Sequence, residues 1–361
     1  MNTAPLFEPF KCKSLELKNR IVMAPMTRSF APGGVPSGDA ASYYARRAAG
    51  NIGLIVSEAT VIDRPSAMND PDVPHFYGEA PLARWQESAE AVHAAGAMMV
   101  PQLWHVGSVR NVALNWFPPV PAESPSGLSR PGKPFAEPMT EEQIADVIAA
   151  YASAAADARR LGFDGIEIHG AHGYLIDQFF WDKLNERTDG YGGATIAERN
   201  RFGCEVVKAV RAAVGDDFAV IMRVSQFKQH DYEARLAQNP AELEEWLGPL
   251  AAAGVDILHC SQRRYWQPEF EGSPLNLAGW AKKVTGCPTI TVGSIGLRDP
   301  DVSEDPKNIV EDLARRVADG EFDLIAVGRA LLGSPDWAQS LSRGEPEPLI
   351  DFDAGVLEAL R

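Results

Sequence analysis

The sequence predicts a closed (β/α)8 TIM barrel. Three observations lead there: eight short apolar or β-branched runs, Ala-rich amphipathic stretches between most of them, and polar side chains gathered where several runs end. The strands are expected at 20–25, 53–60, 98–104, 165–169, 218–224, 256–261, 289–293 and 324–328, each bounded by Gly, Pro or Asp. Helical periodicity falls at 81–95, 140–161, 197–214, 241–253 and 306–318. Eight alternating units argue for a closed barrel over an open doubly wound sheet. Such a barrel takes roughly 250 residues, which leaves about a hundred for insertions and terminal segments. The obvious insertion, 107–138 between strand three and helix three, is rich in Pro, Ser and Gly and is expected to cap the barrel mouth. No low-complexity linker divides the chain, so 1–361 reads as a single domain.

Composition narrows the function. The chain carries 34 Lys plus Arg against 49 Asp plus Glu, a formal charge of -15, which repels phosphate backbones and anionic lipid surfaces. Nucleic acid and membrane partners are therefore not expected. The first ten residues lack a basic segment followed by an apolar core, and no run approaches a membrane span, so a cytoplasmic location is expected. Cys12, Cys204, Cys260 and Cys287 show no paired spacing that would indicate disulfides, an iron–sulfur centre or structural zinc. A monomer and a homodimer both remain open.

The strand ends carry the chemistry. Strand four runs into His169-Gly170-Ala171-His172-Gly173-Tyr174, and in parallel α/β proteins the C-terminal strand ends are where ligands sit. Two histidines three apart would lie on opposite faces of a continuing strand, so the chain must turn after His169, with Gly170 and Gly173 permitting it. Strand five delivers Arg223. Strands seven and eight end in Gly293-Ser294-Ile295-Gly296 and Gly328-Arg329, turns that commonly hold a phosphate on backbone N–H groups, with Arg329 adding a charged contact; the alternative is that these glycines only make tight turns. No G-x-G-x-x-G follows any strand, which speaks against a Rossmann dinucleotide cradle. The H-x-x-H spacing would suit zinc only with a third ligand, and none stands beside it in the sequence, so no metal is expected. His105 is expected to be a packed or rim histidine.

Several separate blocks, Leu6-Phe7-Glu8-Pro9, Leu17-Lys18-Asn19-Arg20-Ile21-Val22-Met23-Ala24-Pro25-Met26-Thr27-Arg28, His169 through Leu175, Arg187-Thr188-Asp189-Gly190-Tyr191-Gly192-Gly193 and Val327-Gly328-Arg329, occur in the same order as in the old yellow enzyme family of flavin-dependent ene-reductases, which the chain resembles over nearly its whole length. The resemblance implies non-covalent FMN in the barrel and NADPH or NADH as electron donor. It implies that Thr27 donates to flavin O4, that Gln102 pairs with the pyrimidine edge, and that Arg223 faces N1 and O2, where a fixed charge stabilises the anionic reduced ring. An ion pair with a loop carboxylate is the alternative role for Arg223. Pro25, Met26 and Ala59 would contact the isoalloxazine, and Gly293, Ser294, Gly328 and Arg329 the phosphate.

The same resemblance assigns His169 and His172 as donors to a carbonyl or nitro oxygen of the substrate, and Tyr174 as the general acid for the α-carbon. Trp104 joins them among the substrate residues. The expected substrates are activated alkenes: enones, enals, maleimides or nitroalkenes. Rival readings are a sibling flavin barrel acting on dienoyl thioesters or amines, a zinc-dependent barrel hydrolase, and a non-catalytic flavin binder.

Two segments depart from the family. The common Ser-Pro after Arg223 is replaced by Ser225-Gln226-Phe227-Lys228, and strand six is followed by Arg263-Arg264-Tyr265-Trp266. The expectation is that Arg264 and Trp266 narrow the entrance and that Arg264 favours anionic ligands. The alternative is that Tyr265 and Trp266 pack against the 107–138 insertion.

Overall fold

The computed structural model describes residues 2–114, 116–298, 306–345 and 353–361. Eight parallel strands close in sequence order: β1 (Ile21–Met23), β2 (Leu54–Val61), β3 (Met98–Trp104), β4 (Gly165–His172), β5 (Ala219–Lys228), β6 (Ile257–Ser261), β7 (Thr289–Val292) and β8 (Leu324–Val327). Their register follows the twofold alternation of a strand. Val22, Leu54, Val56, Val100, Ile221, Ile257, Ile290 and Leu324 form one buried cluster inside the barrel, while Ile21, Ile55, Met99, Ile166, Val220, Leu258 and Ile325 belong to the cluster between strands and helices. An antiparallel hairpin, Phe10–Cys12 with Leu15–Leu17, joins the interior cluster through Phe10, Leu15 and Leu17 and closes the N-terminal end. Truncating one interior aliphatic such as Ile257 to Ala would cost about 2–5 kcal/mol, because a barrel wall cannot collapse around the void.

The outer layer comprises α1 (Ala40–Ala49), α2 (Glu79–Ala94), α3 (Glu141–Arg160), α4 (Arg201–Val214), α5 (Pro240–Ala253), α6 (Leu277–Thr285), α7 (Pro306–Ala318) and α8 (Trp337–Ser342). Starts are specified locally: Thr140 and Gln143 make a reciprocal capping box for α3, and Asn239 and Asn276 cap α5 and α6. The helix expected over 197–214 is interrupted at Asn200, whose amide donates to the Trp246 carbonyl at 2.6 Å. Two strands outrun their expected ends. β4 continues to His172 and β5 to Lys228 because each supplies the other's pairing partner, with a bulge between Gly170 and His172.

The 107–138 segment contains a short helical turn, Val112–Leu114, and a hairpin, Leu128–Arg130 with Lys133–Pro134. It is tied to neighbouring loops: Glu123 bonds Arg64, Ser66 and the fully buried His105, and Arg187 donates to the Pro125 carbonyl at 2.8 Å. His105 is thus a packed histidine. Burial would raise the Glu123 carboxyl, yet His105 and Arg64 hold it down at about 2. Among the described residues no helix is long and apolar enough to cross a membrane.

Candidate functional site

The alternation that fills the barrel with aliphatics turns polar toward its C-terminal end. One step above Val100, Ile221 and Ile257 on the same face stand Gln102, Arg223 and His259, and a further step brings Trp104, Ser225 and Ser261; Glu167 and His169 are the equivalents on β4. Above them opens a cavity of about 780 Å3. Of the residues expected from the sequence, Pro25, Met26, His172, Arg223, Arg264, Ser294, Gly328 and Arg329 line it.

His172 reaches this position by an unusual backbone. Its φ is +65° and that of Gly173 is +85°, so the turn falls at 172–173. Gly170 has a different task from the one expected: a Cβ there would lie 2.5 Å from Met222 Cε, so the residue permits close packing of β4 on β5. The result places the His172 ring 5.2 Å from that of His169, the Tyr174 ring 4.9 Å from His169, and Trp104 edge-on to Tyr174 at 5.0 Å. His169 Nδ1 accepts the Ala171 N–H at 3.4 Å, which puts its own proton on Nε2. Ser261 Oγ lies 2.9 Å from His172 Nε2 and 3.5 Å from Arg223. Burial first, then the Arg223 charge, push both imidazoles well below their ordinary range, so both are neutral. Burial pushes the Tyr174 phenol up to about 12, against the lowering effect of a hydrogen bond from Gln229.

Arg223 is buried, and its Nε has no partner. Among the described residues no carboxylate forms the ion pair that was the alternative for it: Glu167 acts on it electrostatically while its own oxygens engage Gln102 Nε2 at 2.7 Å and His259 Nδ1 at 2.7 Å. A guanidinium beside two neutral imidazoles repels a metal cation and invites an electron-rich ring edge. Among the described residues no group of three or more His, Cys, Asp and Glu is placed to hold a metal ion.

The remaining expected residues are distributed as follows. Gln102 is buried in register with Ala59 and bonded to Glu167, and Thr27 is exposed in the loop after β1. Glu58 Oε2 holds that loop by accepting the Arg28 and Ser29 N–H groups at 2.8 and 3.2 Å. Gly293 is not part of the cavity lining; a Cβ on it would meet the Gln262 carbonyl at 2.6 Å, so it lets the β7 turn lie against the β6 loop. Ser294 adopts φ +54° and donates to the Arg263 carbonyl at 3.0 Å. Trp266, expected at the entrance, packs half-buried against the core instead, edge-on to Tyr265. Tyr265 is anchored away from the insertion, its hydroxyl donating to the Ile309 carbonyl on α7 and its own carbonyl accepting from Arg316. Glu167, His259, Ser261 and Gln229 were not singled out in the sequence. Counting back by two from His169 would have pointed to the first of these; Gln229 lies past the expected strand end and gave no such signal.

A parallel barrel with arginines around a cavity at its C-terminal mouth suits an anionic, ring-bearing ligand, and the residues present fit FMN: Arg223, with its unpartnered Nε, for the ring, and Arg329 beside Gly328 for the phosphate. Residues 5–347 match the model of the NADH:flavin oxidoreductase / NADH oxidase family. The chain is 36% identical over 340 residues to putative 12-oxophytodienoate reductase 2 of Oryza sativa subsp. japonica, covering 92% of this chain and 85% of that one. It is 34% identical over 350 residues to an NADH oxidase of Thermoanaerobacter brockii, covering 94% of this chain and 51% of that longer protein. Among solved structures, morphinone reductase in complex with tetrahydroNAD superposes with a TM-score of 0.79 at 30% identity, covering 98% of this chain and 93% of that one. The old yellow enzyme homologue from Zymomonas mobilis gives 0.78 at 28%, covering 98% and 96%. The chain belongs to this family, the old yellow enzymes, and is an FMN-dependent oxidoreductase that draws electrons from a nicotinamide dinucleotide.

Proposed function

We propose that the protein reduces the C=C bond of alkenes activated by a carbonyl or nitro group, such as enones, enals, maleimides and nitroalkenes, with NADPH or NADH as donor. The observation that carries this reading is the neutral pair His169 and His172, 5.2 Å apart, with the Tyr174 ring 4.9 Å from His169. FMN held by these residues would supply two-electron hydride chemistry between the nicotinamide and the alkene β-carbon. The two imidazoles donate to the activating oxygen, where negative charge grows during the transfer, and neutral donors held in place are suited to that task. His172 exchanges its contact with Ser261 for the substrate oxygen. Tyr174 then gives its proton to the α-carbon: its O–H bond breaks, the C–H bond forms from the electron pair on that carbon, and water restores the phenol.

Arg223 stabilises negative charge on the ring, and Gln102, with its amide N–H committed to Glu167, keeps its oxygen for the ring edge. Thr27, Pro25, Met26 and Ala59 complete the ring site. Ser294, Gly328 and Arg329 hold the phosphate, with Gly293 shaping the turn. Trp104 lies beneath the substrate, Arg264 faces it, and 107–138 caps the mouth. We place the enzyme in the cytoplasm, as a monomer or homodimer.

The test is an anaerobic panel of enones, enals, maleimides and nitroalkenes with each nicotinamide, alongside identification of the cofactor released on denaturation. FMN with turnover of at least one alkene class is expected; FMN with no turnover of any alkene would overturn the substrate assignment.

A further inference from the structure

β5 runs four residues past its expected end at 224, and this extension packs against His172 and the Gly173 turn at the end of β4. Ser225 Oγ accepts the His172 N–H at 2.9 Å, and the Phe227 ring lies over that of His172 at 5.1 Å and 30°. Lys228 and Asp177, both fully buried, pair at 2.7 Å, and the other Asp177 oxygen accepts the Gly173 N–H at 2.8 Å. The next residue, Gln229, leaves the strand, lines the cavity and donates from Nε2 to the Tyr174 hydroxyl oxygen at 2.7 Å. It is the one hydrogen-bond partner of that hydroxyl among the described residues.

An amide N–H can only donate, so its presence on one lone pair of the phenol oxygen directs the phenol hydrogen elsewhere. The Trp104 and His169 rings pack edge-on against the phenol ring, so that hydrogen is not held by either of them. Once the proton has gone, the same N–H faces a phenolate, and a hydrogen bond to an ionised acceptor is roughly twice as strong as one to a neutral acceptor. The contact is thus worth more after proton transfer than before it, which is the condition for accelerating that step. Charged and titratable groups facing Tyr174 are His169 on β4, neutral and edge-on to its ring, and Arg223 on β5.

Resting on the ene-reductase reading, we propose that Gln229 is a positioning residue for proton delivery, holding the Tyr174 hydroxyl aimed into the cavity and stabilising the phenolate left when its proton passes to the α-carbon. The electron pair comes from the double bond when hydride adds to the β-carbon; the phenol O–H breaks, the α C–H forms, and solvent water reprotonates the phenolate.

The two half-reactions are followed separately by stopped flow in the holoenzyme. Gln229 is exposed, so its variants are expected to fold, and the flavin content of each is measured from its absorbance. Gln229→Ala is expected to leave flavin reduction by the nicotinamide intact, to slow enone reduction by about tenfold with an enlarged solvent isotope effect, and to leave nitroalkene consumption, whose nitronate departs unprotonated, unchanged. Gln229→Glu at pH 8 offers an acceptor in place of a donor and draws the phenol hydrogen away; its enone rate is expected to recover as the pH falls and the new carboxyl gains a proton to donate. An unaltered enone rate in Gln229→Ala, equal slowing of enone and nitroalkene, or a Gln229→Glu profile without the acid recovery would overturn the proposal. Tyr174→Phe keeps the two levels apart: if it too leaves enone reduction intact, the failure belongs to the assignment of Tyr174 and not to Gln229.

Discussion

His169 on β4 and Arg223 on β5 are register partners on the inner wall of the barrel, so an imidazole and a guanidinium without a carboxylate partner face the same interior. Burial and this neighbouring charge hold His169 well below its ordinary range, and His172 likewise. Neither imidazole gains a proton between pH 6 and 8, where an ordinary histidine would titrate. We therefore expect enone reduction by the pre-reduced enzyme to show no acid limb near pH 6.5; a limb there, abolished by His172→Ala, would contradict neutral donors.

Arg329 follows Gly328 at the cavity wall. Removing a charge-assisted contact worth roughly 1.5–3 kcal/mol should weaken FMN retention about ten- to a hundredfold in Arg329→Ala. Fluorescence titration of the apoprotein with FMN measures this directly. Affinity unchanged from wild type would move the phosphate site elsewhere.

The cavity rim carries Arg263, stacked 4.0 Å over the exposed ring of Tyr232, and Arg264. If the pair recognises the extra phosphate of NADPH, an Arg263→Ala, Arg264→Ala variant should lose kcat/KM for NADPH by about tenfold or more while NADH changes little, each charged hydrogen bond being worth roughly 1.5–3 kcal/mol. Equal losses for the two donors would assign these arginines to the fold of the loop.

Lys228 and Asp177 form a fully buried pair that holds the Gly173 turn. Burial raises the Asp177 carboxyl to about 6 even with Lys228 lowering it. In Lys228→Met that lowering is lost, so the folded-state value rises further above the unfolded one, and the folded protein favours the protonated form. The penalty for an unpaired buried carboxylate, about 3–5 kcal/mol, should thus be full at pH 8 and should shrink as pH falls through the raised value. Urea denaturation of wild type and variant at pH 8 and pH 5 gives the two differences. A penalty larger at pH 5 would refute the sign.

The eight-strand rhythm, the glycine-bearing turns after β7 and β8, and the polar ends of β4 and β5 were legible in the chain because they are local: alternation, β-branching and turn residues act over a few positions. The block from His169 to Tyr174 announced a site for the same reason. Trp266 misled because a large aromatic in a loop after a strand carries no mark of which way it packs, and the contacts that decide it come from Tyr265 and the distant α7.

What the amino-acid order determined by itself is therefore the barrel, the strands that face inward by parity, and the end of the barrel that carries the chemistry. Only the tertiary structure decided that β4 and β5 extend each other to His172 and Lys228, that Glu167 serves Gln102 and His259 while Arg223 keeps a free edge, and that Gln229 meets Tyr174. The reason is range. A strand's alternation is written in adjacent residues, whereas its length, its bulge and the partner of each buried charge depend on which neighbour closes the sheet, and the two sides of the Gln229 to Tyr174 contact lie 55 positions apart in the chain.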